Sequence, residues 1–155
     1  MGVSVETDEN QMKKVTVTNE KGASVTVMAH GAHVVSWKNK DGDELLFVSK
    51  EAVFKPPKAI RGGIPVCFPQ FADCGPLGQH GFARNSEWAV YTPKDAQKSE
   101  VTLVFAPSEE QLKEWPHPCE LSLTIFLAPT GALSINTKVR NNGDKDLEFT
   151  YALHT

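Results

Sequence analysis

The 155-residue chain carries 16 Lys and Arg against 19 Asp and Glu, a formal net charge of −3, with 40% hydrophobic and 23% charged residues. This is the composition of an ordinary globular chain with apolar content for one sizeable core, here taken as a single domain over residues 1–155. The acidic balance excludes a general nucleic-acid or membrane-surface role, since both need a basic field, and an anionic ligand would need a local cluster of cations.

The first 14 residues, MGVSVETDENQMKK, hold no apolar core and are acidic, so they read as neither a secretory signal nor a transit peptide. Glu6 stands where a myristoylation signal wants Ser or Thr. No apolar run is long enough to cross a bilayer. Cys67, Cys74 and Cys119 are odd in number and loosely spaced, which fits free thiols of a cytoplasmic protein better than a disulfide framework.

From Val15 onward the dominant signal is alternation. Val15 and Val17 alternate with Thr16 and Thr18, and Val25 and Val27 follow the turn-like Asn19-Glu20-Lys21-Gly22. Val34, Val35 and Trp37 form a further strand, ended by Lys40-Asp41-Gly42-Asp43, and Leu45–Val48 resumes strand-like composition. Later strands are expected around Glu87–Tyr91, Val101–Ala106, Leu121–Leu127, Leu133–Arg140 and Leu147–His154. Asn141-Asn142-Gly143-Asp144 has the composition of a hairpin connection between the last two. Ser108-Glu109-Glu110-Gln111 fits a capping box, so one short helix is expected before Pro116. The pattern is all-β, mostly antiparallel and of sandwich type. The chain stops within an apparent strand, which reads as the N-terminal part of a longer domain, with open sheet edges free to self-associate.

Residues 56–84 break the alternation. The stretch is rich in Gly and Pro but keeps several apolar residues, which predicts an ordered, packed loop. Within it, Arg61-Gly62-Gly63-Ile64-Pro65 places a planar guanidinium beside a flexible turn, suited to a phosphate or carboxylate; a solvated surface arginine is the plainer reading. Gln79-His80-Gly81-Phe82-Ala83-Arg84 adds a side chain able to exchange protons near neutral pH and a second cation. Equally, His80 suits a hydrogen-bonded loop and Arg84 a pair with Glu87. Alternation over Leu147–His154 sets Leu147, Phe149, Tyr151 and Leu153 on one face and Glu148, Thr150, Ala152 and His154 on the other. His154 then reaches solvent or a ligand. His30 and His33 have a metal-like spacing but no nearby acidic or thiol partner, and His117 lies between prolines in a turn. The loop phenylalanines read as core, with Phe68 or Phe82 able to stack under a sugar ring.

Together these segments resemble a known family. Arg61-Gly62-Gly63-Ile64-Pro65 and Gln79-His80-Gly81-Phe82-Ala83-Arg84 look like two signatures of the glucose-6-phosphate 1-epimerases. Gly31-Ala32-His33-Val34-Val35-Ser36-Trp37 is similar to an early strand of the wider galactose mutarotase-like β-sandwich (supersandwich) group, and Tyr151-Ala152-Leu153-His154-Thr155 to the start of its second histidine motif. The resemblance implies a β-sandwich enzyme that interconverts the anomers of a hexose 6-phosphate without metal or redox cofactor. It implies Arg61, Gln79 and Arg84 as substrate-binding residues, His80 as lining the sugar site, and His154 as the catalytic acid. It also implies a later aspartate for binding and a later glutamate as base, neither of which is among these residues. Competing readings are an aldose 1-epimerase for unphosphorylated sugars, to which two arginines are ill suited, and a non-catalytic sugar-phosphate binding module.

Overall fold

A computed structural model describes residues 2–155. Two four-stranded antiparallel meanders form its body. The first runs β1 (Gly2–Thr7), β2 (Lys13–Thr18), β3 (Ser24–Met28) and β4 (His33–Lys38) in sequential order. The second runs β6 (Ala89–Tyr91), β7 (Glu100–Phe105), β8 (Cys119–Leu127) and β9 (Leu133–Asn141). Between them in sequence lies β5 (Val66–Cys67), which pairs with β10 (Ala152–Leu153) in a separate two-stranded sheet. The expected all-β, mostly antiparallel architecture is what the chain adopts. The expected short helix is α1 (Glu109–Glu114): Ser108 Oγ accepts from Gln111 N–H, and the Gln111 side chain accepts from Ser108 N–H.

The alternation does its work in the core. Val15, Val17, Val25 and Val27 of the first sheet and Val101, Leu103, Leu121, Leu123, Ile125 and Leu127 of the second are all buried in one apolar cluster. Burying such side chains stabilises the fold by roughly 1.5–3 kcal/mol each. Asn19 ties the layers at one end: its Oδ1 accepts from Lys21 and Ala23 N–H in the first sheet's hairpin, and its Nδ2 donates to Ala128 O after β8. A smaller cluster of Met12, Met28 and Ile60, with Val35, Val48, Ala52 and Phe54 packed on it, joins the first sheet to the 48–60 stretch. Ile64, Val66, Phe68 and Ala83 of the 56–84 loop belong to the main cluster, so the long loop is packed, as its apolar content predicts.

Three expectations need correction. Gly2–Thr7 is a strand that carried no recognised signal; as an edge strand it is mostly exposed. Leu45–Val48 is not a strand but makes only isolated bridges, Lys38 to Glu44 and Val48 to Gly62, because Glu44 Oε1 takes the N–H groups of Trp37 and Leu46. The last segment does not form a hairpin with β9. It runs along the long loop instead, with Thr150 N–H on Pro69 O, Phe71 N–H on Thr150 Oγ1 and His154 N–H on Pro65 O. Only Ala152–Leu153 is strand, so the alternation expected over Leu147–His154 does not run its length.

Candidate functional site

The cleft is built from three pieces of chain that meet beside β5. The first is the Arg61-Gly62-Gly63 turn. Gly63 N–H donates to Phe47 O at 2.7 Å, Ile64 N–H to Val34 O at 2.9 Å, and Ser49 N–H to Arg61 O at 3.0 Å. Gly62 and Gly63 have φ of +109° and +62°, and a Cβ on Gly62 would lie 2.5 Å from Phe47 O. Only glycine fits there without backbone movement. Arg61 projects from this clamped turn as an exposed side chain.

Behind the turn sits His33, fully buried, with Nε2 at 2.5 Å from Gly62 O. A carbonyl only accepts, so Nε2 carries the proton, while Nδ1 is buried with no partner among the described residues. Burial is the largest influence on this ring and lowers its pKa to about 4; the bond to Gly62 opposes this, and the charges of His30 and Arg84 add to it. His33 is therefore neutral at pH 7 and acts as a fixed donor. His30 donates likewise from Nε2 to Lys58 O at 2.7 Å. The histidine pair with metal-like spacing thus serves to hold two loop carbonyls.

The second piece is Gln79–Arg84. His80 adopts φ +65°, and its Nδ1 accepts from Ala72 N–H at 3.0 Å, so the neutral ring carries its proton on Nε2. Burial, then the charges of Arg84 and His154, lower the His80 pKa. Arg84 sits in a 3-10 turn (Ala83–Asn85) held from behind by Trp88, whose Nε1 donates to Ala83 O at 3.0 Å. Gly31 lies directly against Arg84, where a Cβ would come 2.6 Å from Arg84 O. Arg84 Nη2 donates to Gln79 O at 3.0 Å, and its Nε is buried with no partner. Among the described residues neither Arg61 nor Arg84 is ion-paired; the plainer Arg84–Glu87 pairing does not form.

The third piece is the end of the chain. His154 is exposed, and its ring stands 5.5 Å from that of His80 and 6.0 Å from that of Phe71. Phe71 in turn lies 5.3 Å from His80. Glu148, Phe149 and Thr150 line a different cleft, so only the His154 end of the expected polar face opens here.

These pieces enclose a cleft of about 630 Å³ whose walls include Phe47, Arg61, Gly62, Gly63, Cys67, His80, Arg84 and His154. That volume suits a small ligand. Four of the five residues singled out in the sequence meet here. The fifth, Gln79, is exposed and contributes its carbonyl to Arg84; its side chain is not part of the wall. Phe68 is fully buried, and Phe82 packs on Phe105 and Trp115, so neither reaches the cleft. Phe47, Gly31 and the structural role of His33 were not recognised. For the last two the available signal was the likeness of Gly31-Ala32-His33 to the family's early strand.

Fold and cleft together define an all-β protein of the galactose mutarotase type. The chain belongs to the aldose 1-epimerase family, whose profile, described as Aldose 1-epimerase, matches residues 13–155. Two relatives bear the name "Putative glucose-6-phosphate 1-epimerase". The one from Cenchrus ciliaris is 45% identical over 152 residues, covering 93% of this chain and 46% of its own length. The one from Escherichia coli is 37% identical over 128 residues, covering 81% and 42%. Among solved structures, a galactose mutarotase-like protein from Lactobacillus casei superposes with a TM-score of 0.74 at 26% identity, covering 89% of this chain and 47% of that one. The chain thus spans less than half the length of each of these relatives. No described helix is long and apolar enough to cross a membrane.

Proposed function

We propose that this chain forms the phosphate- and acid-bearing half of an active site that interconverts the α and β anomers of a hexose 6-phosphate. The observation that carries the reading is the convergence of Arg61, Arg84, His80 and His154 on one cleft. Two guanidinium groups that line one cleft with no ion-pair partner among the described residues suit a dianionic phosphate, since a guanidinium can donate two parallel bonds. An unphosphorylated sugar gives them no partner. Gln79 serves the site by fixing Arg84 through its carbonyl.

Anomer exchange needs a proton removed from the C1 hydroxyl and a proton delivered to the ring oxygen. The C1–O5 bond then breaks, leaving an aldehyde and a C5 hydroxyl. Rotation about C1–C2 and reclosure on the other carbonyl face, with the proton transfers reversed, completes the exchange. His154, exposed to the cleft, is the acid that protonates the ring oxygen. His80 lines the sugar site: its Nδ1 is occupied by Ala72 N–H, so Nε2–H is a donor of fixed tautomer for a sugar oxygen. Among the described residues no Asp or Glu side chain lines the cleft. The base is assigned to the later glutamate that the family resemblance implies, in keeping with relatives longer than this chain.

The test follows α-to-β exchange of glucose 6-phosphate by magnetisation-exchange NMR. In a version carrying both halves of the domain, Arg84→Ala should weaken glucose 6-phosphate by roughly 10–100-fold, the worth of a lost charged hydrogen bond, and glucose hardly at all. Equal losses for both sugars would remove the phosphate role. The 155-residue chain by itself should show little exchange; rates comparable to the longer version would show that no further carboxylate is needed.

A further inference from the structure

Phe47 is the most exposed of the large apolar side chains, with 77% of its surface open, yet it forms part of the cleft wall that carries Arg61, Arg84, His80 and His154. An exposed aromatic ring is commonly found on a loose segment, and this one is not. The Phe47 carbonyl accepts from Gly63 N–H at 2.7 Å, Leu45 N–H donates to Trp37 O at 2.8 Å, and Val48 bridges Gly62. Glu44 closes the other side: Oε1 accepts from Trp37 and Leu46 N–H, and Oε2 accepts from Ser36 Oγ at 2.5 Å. Burial works against ionisation of Glu44, but these three bonds and the charge of Lys38 outweigh it and hold the carboxyl below its ordinary pKa. The Phe47 backbone is thus fixed against the turn that carries Arg61, with its ring left to solvent.

Building on the hexose-phosphate reading of the cleft, we propose that Phe47 is the platform for the sugar ring, its face taking the apolar C–H side of the pyranose while Arg61 and Arg84 hold the phosphate. A pyranose carries its hydroxyls around its rim and presents C–H groups above and below. The negative face of an aromatic ring attracts those slightly positive hydrogens, and water is released from both surfaces. Leu45, 48% exposed and also lining the cleft, extends the apolar surface. The phenylalanines with the more evident claim from sequence are occupied in packing: Phe68 is fully buried and Phe82 packs against Trp115 and Phe105.

The experiment titrates the protein with glucose 6-phosphate, glucose and inorganic phosphate by saturation-transfer NMR. Phe47→Ala should weaken both sugars by roughly 3–10-fold, the range of one aromatic contact, and should leave inorganic phosphate unchanged. Saturation passed from aromatic protons to the sugar ring protons should fall in the same variant, and Phe47→Trp should preserve both signals. The exposed ring contributes little packing, so an unchanged melting curve is expected for Phe47→Ala. Sugar affinities that do not change would overturn the platform. A parallel loss for inorganic phosphate would also overturn it, since Phe47 would then act by supporting the Arg61 turn. Phe47-dependent glucose binding without any phosphate binding would uphold the platform and sink the phosphate reading alone.

Discussion

Along β2 and β8 the buried positions recur at every second residue, and all but Cys119 are filled by an aliphatic side chain that several others could replace. In the segment from Glu44 to Asn85 nothing recurs. There the backbone is held by single bonds: Gly63 N–H on Phe47 O, His33 on Gly62 O, Ala72 N–H on His80 Nδ1, and the buried Gln70, whose Nε2 donates to Ala72 O and Leu77 O while its Oε1 accepts from Leu77 N–H. The sheets derive their stability from many interchangeable contacts, and the loop derives its shape from a few that are not. Damage to the first region should therefore read out in stability, and damage to the second in ligand binding and rate.

His154→Ala tests this division with the largest expected effect. The side chain is exposed, so folding stability should shift by no more than about 0.5 kcal/mol. If His154 is the acid, anomer exchange in a version carrying both halves should slow by about 10²–10⁴-fold. A rate within a few-fold of the parent would remove His154 from the chemistry. Leu123→Ala is the converse. Leu123 is 1% exposed at the centre of the shared core, and its truncation should cost about 2–5 kcal/mol in urea denaturation. Sugar-phosphate affinity, measured where the variant is still folded, should be nearly unchanged.

The same division explains what could be read in the sequence. Val15, Val17, Val25 and Val27 and the apolar residues of β8 announce two sheets because period two is a property of each strand by itself. The capping box of α1 is equally local. Arg61, His80, Arg84 and His154 were legible as types of residue able to bind an anion and move protons, and through the family likeness of their motifs. Their convergence was implied by that likeness and not by periodicity, since it depends on the last segment turning away from β9 to lie along Pro65–Phe71. Phe47 was hidden for the same reason: Leu45–Val48 has strand composition, and only the Glu44 carboxylate, bonding Trp37 and Leu46, makes it a cleft wall.

His33 joins the two regions, because it belongs to β4 yet holds the Arg61 turn. Its pKa of about 4 in the folded chain compares with an ordinary 6.5. The unfolded chain therefore binds the proton first as pH falls. The stability contributed by neutral His33 is complete above about pH 6.5 and is lost as pH falls toward 4. The total loss is about 3 kcal/mol for a shift of this size. The charges of His30 and Arg84 both act in that direction. His33→Gln keeps a donor for Gly62 O but does not titrate. Urea midpoints measured between pH 7 and pH 4 should therefore fall less steeply in His33→Gln than in the parent. Parallel slopes would show that His33 titrates normally.

The smallest expected effect belongs to β1, the strand whose signal was too weak to recognise. Its residues are mostly exposed, with Val5 52% open, so pairing with β2 gains little from burial. An ion pair joins Glu6 to Lys14 at 3.1 Å, and the two residues are direct cross-strand partners. Both side chains are substantially open to water, where Coulomb attraction is screened and holding two long side chains together costs entropy. Pairs of this kind contribute about 0.2–1 kcal/mol. Glu6→Gln should therefore lower stability by a few tenths of a kcal/mol at low salt, and the difference should vanish near 1 M salt, where screening acts over about 3 Å. A loss as large as that of Leu123→Ala would mean that β1 is held by the same cooperative packing as the inner strands, and the line drawn between replaceable and irreplaceable contacts would have to move to the sheet edge.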